Sequence, residues 1–448
     1  MIRLSLFIAV ASVASGAEYR VATIEADVTP PIGHPLLASS MPPARSIEAK
    51  LWAKGIVLTG DKQPIVVVSV DWCEIRNDAY DQWRDGLAEA AGTTRERVLL
   101  SCVHQHDTPL TDLRAQEILE EHGIMSNIVD ATFHNRVVAD VGQAVRRAMA
   151  STQPITHLGM GQAKVEKIAS NRRYIGPNGK PRYDRGSATK NVFARQAPEG
   201  VIDPFVKALS FWNGDKAIAV LYSYATHPMS FYRTGKVNPD FPGYARAELQ
   251  KEVPDSTQIY FSGAAGNVTA GKYNKGDPPN RPVLMRRLLA GMVAAWKDTK
   301  RSPLTEMEFR SVPLVLKPRE SDGYSREDQL RKLKTVNDRK YQSRAALGLS
   351  WLERMKVRKQ PIDLPVIDFG KAAFLLLPGE SYVEYQLYAQ SLRPNNFLMV
   401  AGYGESGTGY IPLEMHWEEN DSNLNGWCWV ARGSEEPFKA AIRKVLSE

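Results

Sequence analysis

The sequence predicts an α/β fold with mixed strand directions, on three observations. Ile65 to Val70 and Val98 to Val103 are apolar, β-branched runs that flank a helical stretch from Tyr80 to Ala91, which reads as a parallel βαβ unit. Pro204 to Trp212 and Ala217 to Tyr224 are joined by Asn213-Gly214, a strong hairpin signal, so antiparallel pairing is expected beside the parallel kind. Hydrophobic residues make up 43% of the chain, ample for a core, and no Pro/Ser-rich linker divides it.

Taken in order, the elements begin with an export signal. Arg3 precedes an apolar run from Leu4 to Ala14, and Ser15-Gly-Ala17 offers small residues for cleavage. Residues 1–17 are therefore read as a signal peptide and 18–448 as one domain. The run is shorter than the roughly 20 residues that span a bilayer. No later stretch reaches that length, so a soluble periplasmic or secreted protein is expected. After the βαβ unit, Ile128 to Met149 reads as a long helix, followed by the hairpin. Gln258 to Phe261 is a strand leading into the loop Ser262-Gly-Ala-Ala-Gly-Asn-Val-Thr269, and Pro282 to Trp296 is helical. Leu364 to Phe369 and Ala372 to Leu377 pair around Gly370-Lys371, and Phe397 to Ala401 precedes the Gly-rich stretch that carries Tyr410.

Charge is unevenly distributed. Residues 317–360 contain 13 basic and 6 acidic side chains, a net of +7, equal to the formal charge of the whole chain. With Leu330, Leu333, Leu347, Leu349, Trp351, Leu352 and Met355 between the charges, the segment reads as one or two solvated amphipathic helices. Attraction toward an anionic surface or substrate is the alternative. The segment lacks a nucleic-acid motif. Three cysteines exclude a disulfide scaffold; Cys73 and Cys102 end neighbouring predicted strands, which leaves either one disulfide or two buried thiols.

The chemistry concentrates at strand ends, where open α/β sheets place their ligands. His104 and His106 follow the second strand of the βαβ unit and, two residues apart, project to one side. One or both could bind a metal. His227 ends the hairpin and Glu380 follows another strand, completing an imidazole and carboxylate set that suits zinc with a position left for water. Other schemes are weaker. Gly404-Glu-Ser-Gly-Thr408 lacks the last glycine of a nucleophile elbow, no His-Glu-x-x-His occurs, and the loop at Gly263 to Gly266 lacks the Gly-Lys-Ser/Thr ending of a phosphate loop. Its glycines are expected to serve tight turning or close backbone approach.

Several segments, in order, resemble the neutral/alkaline non-lysosomal ceramidases. Ala26-Asp-Val-Thr-Pro-Pro31 is similar to that family's Ala-Asp-Ile-Thr, Ser101 to Pro109 to its Ala-Thr-His-Thr-His-Ser-Gly-Pro, and Ser170-Asn-Arg172 to its Asn-Arg-Ser-Pro. Ala225-Thr-His-Pro-Met-Ser230, Leu377-Pro-Gly-Glu380 and Tyr410-Ile-Pro412 have counterparts too. The resemblance implies a mixed-sheet, metallohydrolase-like catalytic domain of the neutral ceramidase type, with one zinc ion per chain held by His104, His227, Glu380 and Tyr410. It also implies proton transfer at His106, a catalytic and substrate-lining role for Arg172, and roles for Asn267 in substrate binding and Thr269 in catalysis, where the family's loop has an acid and a serine. Ser422 stands where the family has a second tyrosine, and the family's carboxy-terminal immunoglobulin-like domain is expected to be missing.

The function so implied is an exported zinc-dependent hydrolase cleaving the amide of a ceramide-like or other N-acyl compound with an activated water. A zinc esterase or deacetylase acting on an acylated sugar or peptide, and a binding protein on the same scaffold, are the alternatives.

Overall fold

The computed structural model describes residues 19–124, 128–321 and 323–447; the expected signal peptide lies outside them. Three sheets carry the fold. The first orders β4 (Val98–Cys102), β3 (Ile65–Val70), β2 (Trp52–Thr59) and β1 (Arg20–Asp27), with only β3 and β4 parallel among them. The second orders β8 (Thr257–Ser262), β7 (Lys216–Tyr224), β6 (Phe205–Asn213) and β5 (His157–Lys164), with β7 and β8 parallel. The third orders β9 (Glu308–Leu314), β10 (Ile362–Asp368), β11 (Ala372–Leu376) and β12 (Phe397–Ala401), with β11 and β12 parallel. The mixed α/β expectation holds.

Period-two alternation divides these strands between two cores. Ile65 and Val67, Leu99, Leu209 and Phe211, Ile259 and Phe261, Phe374 and Leu376, and Met399 all enter one cluster shared by the three sheets. Their alternates Val66, Val68, Leu100, Ala208, Tyr260, Leu375 and Val400 face the second cluster, which includes the helices. This two-sided burial explains why these strands read as continuous apolar runs.

Helix α1 (Asn77–Ala91) packs on α3 (Ala131–Met149), while α4 (Asp240–Glu252) packs on α5 (Asn280–Lys297). The expected helix at 128–149 begins at Ala131 because the Asp130 carboxylate caps it, accepting from Phe133 N at 3.1 Å. The basic segment folds as two helices, α6 (Arg326–Thr335) and α7 (Arg339–Leu352), which pack on each other, and α7 also packs on α2 (Leu113–Glu121). Contrary to a wholly solvated reading, 345–352 are buried on every side. Just beyond, the buried Arg354 guanidinium pairs with Asp81 of α1 at 2.7 Å.

Serine hydroxyls join the parallel pairs of the three sheets. Ser69 donates to Tyr260 O at 2.6 Å, Ser101 to Gly402 O at 2.8 Å and Ser262 to Val103 O at 2.8 Å. The carbonyls of Val103 and Gly402 lie just beyond their ladders, so the carboxyl ends of strands from all three sheets meet at one place. Cys73, Cys102 and Cys428 are all free thiols in buried positions, which decides the open cysteine question in favour of thiols.

Candidate metal centre

His104 lies two residues beyond β4 with a left-handed φ of 77°, a strained conformation for a side chain of this size. Its N–H donates to Trp72 O at 2.9 Å, which ties the kinked backbone down. His227 lies three residues beyond β7, its N–H held by Val268 O at 2.9 Å. Glu380 follows Gly379, whose φ of +49° and close neighbours both require glycine: a Cβ there would lie 2.0 Å from Thr408 Oγ1. Glu380 then pairs in a short parallel ladder with Tyr410, so these two side chains sit on adjacent strands. At Gly266 a Cβ would meet Glu380 O at 2.1 Å, so this loop glycine serves close backbone approach, as its sequence suggested.

The ring orientations are fixed from behind. His104 Nδ1 lies 2.9 Å from Cys73 O and His227 Nδ1 lies 2.6 Å from Ala265 O; a carbonyl can only accept, so both rings carry their proton on Nδ1. Both Nε2 lone pairs then face Glu380 Oε2, at 3.3 Å from His104 and 2.9 Å from His227. Three acceptors thus converge in a buried space, with exposures of only 2%, 1% and 3%. Burial first, then the Arg172 guanidinium, pushes His227 down to about 4, which keeps its ring neutral near neutral pH. Burial alone would raise the Glu380 carboxyl; His104 and His227 override it and hold the group well below the usual carboxylate range.

Arg172 lies against this cluster. One guanidinium nitrogen donates to Tyr410 Oη at 2.7 Å and the other lies 3.2 Å from His227 Nε2. Burial pushes the Tyr410 phenol up, and Arg172 only partly offsets this. His106 is half-buried beside the cluster, its ring 5.6 Å from that of His104 and edge-on to Tyr232 at 4.8 Å, and its Nδ1 has no partner. The structure therefore brings His104, His106, Arg172, His227, Glu380 and Tyr410 together. Asn267 and Thr269 are otherwise engaged: Asn267 donates to Glu384 and accepts from Val383 N, and the Thr269 hydroxyl donates to Gly186 O at 2.7 Å. Ser422 is exposed.

Sequence reasoning missed Tyr403, whose ring stacks on His104 at 4.3 Å between centroids and whose hydroxyl lies 3.4 Å from His227 Nδ1. Its place two residues beyond β12 was the available signal. Cys73, His104 and His106 also lie close enough to form a second grouping of donors. Burial keeps the Cys73 thiol protonated, which makes it a poor ligand beside the His–His–Glu set.

The family profile described as neutral/alkaline non-lysosomal ceramidase, N-terminal, matches residues 19–285. Among solved structures, the fold is similar to the neutral ceramidase of Pseudomonas aeruginosa, at 16% identity and a TM-score of 0.69, over 95% of this chain and 73% of that one. A ceramidase complexed with C2 is similar at 17% identity and a TM-score of 0.67, over 95% of this chain and 74% of that one. No curated protein matches the sequence.

Proposed function

The chain belongs to the neutral/alkaline non-lysosomal ceramidase family, and from that premise we propose that it is an exported zinc-dependent hydrolase that cleaves the amide bond of a lipid-like N-acyl substrate. One observation supports zinc most strongly. Glu380 Oε2 lies 3.3 Å from His104 Nε2 and 2.9 Å from His227 Nε2, while both Nδ1 atoms are turned to backbone carbonyls, so the three donor atoms converge on one point. Imidazole with carboxylate is a zinc donor set, and the carbonyls behind both rings aim the two Nε2 atoms at the Glu380 carboxylate. Tyr410 is the fourth ligand in this proposal.

Bound zinc would supply a Lewis acid that lowers the pKa of a water from about 15.7 toward about 7 and polarises a carbonyl. The remaining work falls to side chains. His106 is kept neutral by burial, so its ring can take a proton from the attacking water and pass it to the departing amine. Arg172 orients Tyr410 through its bond to the phenol oxygen, and its charge offsets that of Glu380 in a dry site. Tyr403 and Tyr232 wall the two catalytic-side rings against rotation. Residues 18–448 form one catalytic domain in this proposal.

The test is hydrolysis of N-octanoyl-sphingosine and of matched amide and ester chromogens after chelation and zinc return. Zinc-restorable amine release supports the proposal. Release of alcohol from the ester alone would replace it with the esterase reading. Export predicts a mature amino terminus near Glu18 in the periplasmic or culture fraction, measured by intact mass.

A further inference from the structure

A cavity of about 290 Å³ opens beside His106, and its walls come from parts of the chain far apart in sequence. Arg233 contributes from the segment after His227, Lys340 and Arg344 from α7, and Ser40 from the turn before β2. None of the three cations pairs with a carboxylate among the described residues; each instead lies over an aromatic ring, Arg233 on Tyr232, Lys340 on Tyr341, and Arg344 on Tyr341 and Trp427 at 5.6 and 4.9 Å. The nearby acids make hydrogen bonds to the backbone, and Asp338 supports the Arg344 charge only from a distance. Asp107 accepts from the backbone of Arg233 and Thr234, and Asp338 caps α7 by accepting from Lys340 N.

Three residues lining this one cavity also hold buried polar atoms with no partner: Ser40 Oγ, His106 Nδ1 and Arg344 Nε. Those atoms are closed to solvent and stand behind the wall, so it is the charged ends of Arg233, Lys340 and Arg344 that suit the cavity to an acceptor-rich occupant. Burial further disfavours the Arg344 charge, which makes a counter-charge there more valuable. The volume sits at the low end of ligand pockets, suiting a small group and not a long chain.

We infer that the cavity receives the amine half of the substrate and that this half is anionic, so that the preferred substrates are N-acyl amino acids or kindred N-acyl amines bearing a carboxylate. This rests on the amide-hydrolase reading, because His106 is the group that protonates the leaving amine and the cavity adjoins it. In the reaction, water adds its oxygen to the acyl carbon, the C–N bond breaks, and the amine nitrogen takes a proton, giving a fatty acid and an amino acid. The carboxylate of the amine half stays unchanged and lies against Lys340, Arg344 and Arg233.

Two matched pairs test this on the full-length zinc protein. N-octanoylglycine and its carboxamide, N-octanoylglycinamide, report turnover; 4-oxoundecanoate, in which a methylene replaces the amide nitrogen, and its carboxamide report binding by calorimetry. The carboxylate is expected to win by roughly tenfold or more in kcat/KM and in affinity, as a charge-assisted contact in a partly dry site implies. Added salt should narrow the gap. Lys340→Gln and Arg344→Gln should each shrink the carboxylate-to-carboxamide ratio, mainly through KM, and Lys340, being half-exposed, is the safer change for folding. Equal turnover and equal binding of both members overturn the inference while leaving the hydrolase reading intact. Absence of any turnover, with tight salt-sensitive binding of 4-oxoundecanoate alone, would sink the hydrolase reading and keep the anion cavity.

Discussion

Two regions meet at His106 with opposite requirements. On one side, His104, His227 and Glu380 bring three acceptors to within 3.3 Å of one another or less along the Nε2 to Oε2 contacts, on buried side chains. On the other, Ser40, Arg233, Lys340 and Arg344 line a cavity with donors and positive charge. The first region offers a donor set for a cation and the second suits an anion. A single substrate whose carbonyl meets the first while a carboxylate on its amine half meets the second would satisfy both, with His106 between them. The contrast teaches that unsatisfied groups of opposite kind can mark where the reacting and recognised ends of one molecule lie.

Changes on the acceptor side should break this contrast hardest. Glu380→Gln removes the charge that joins the two imidazoles, and amide hydrolysis should fall by more than the roughly hundredfold typical of losing a group behind a metal ligand, measured as kcat/KM. His106→Ala should lower kcat by about 10² to 10⁴ while zinc content stays at the wild-type level. Loss of zinc in that variant would make His106 a ligand and move it across the divide.

Gly379→Ala sharpens the comparison by disturbing only the backbone that presents Glu380. The left-handed φ alone costs about 1–3 kcal/mol, and the contact with Thr408 Oγ1 adds to it, so the urea midpoint should drop clearly. Two buried carboxylates provide the pH contrast. Glu380 is held low by imidazoles, whereas Glu405 is pushed up to about 7, first by burial, with Arg354 opposing. Because the folded protein keeps the Glu405 proton that the unfolded chain releases near 4.5, its contribution is full below that pH and is lost as pH rises through about 7. Glu405→Gln should therefore gain thermal stability relative to wild type at pH 8 and lose that advantage at pH 5. The smallest effect belongs to the exposed Ser422: Ser422→Ala should stay within about 0.5 kcal/mol in stability and leave amide turnover unchanged.

Most of the scaffold was legible because β3, β4, β7, β8, β11 and β12 are buried on both faces, so their sequences are continuous apolar runs that local pattern detects. The same strands end at the site, which is why His104, His227 and Glu380 could be read from strand-end position alone. What escaped were relations fixed only by tertiary docking. Nothing local distinguishes the outer face of α7 from the face that turns Lys340 and Arg344 toward His106, and nothing local buries residues 345–352. Tyr410 needed a family resemblance because a phenol at a strand end is usually just packing. The loop of Asn267 and Thr269 carried a motif-like signal, yet Asn267 accepts from Val383 N and Thr269 from Gly271 N, so these polar side chains brace the turn.

The most direct test of the central claim is elemental analysis of tag-free protein, wild type beside His227→Ala. About one zinc per chain in the wild type, lost in a folded variant, is the result expected if the converging acceptors are a metal site. A folded wild type that neither carries zinc nor takes it up on addition would contradict it.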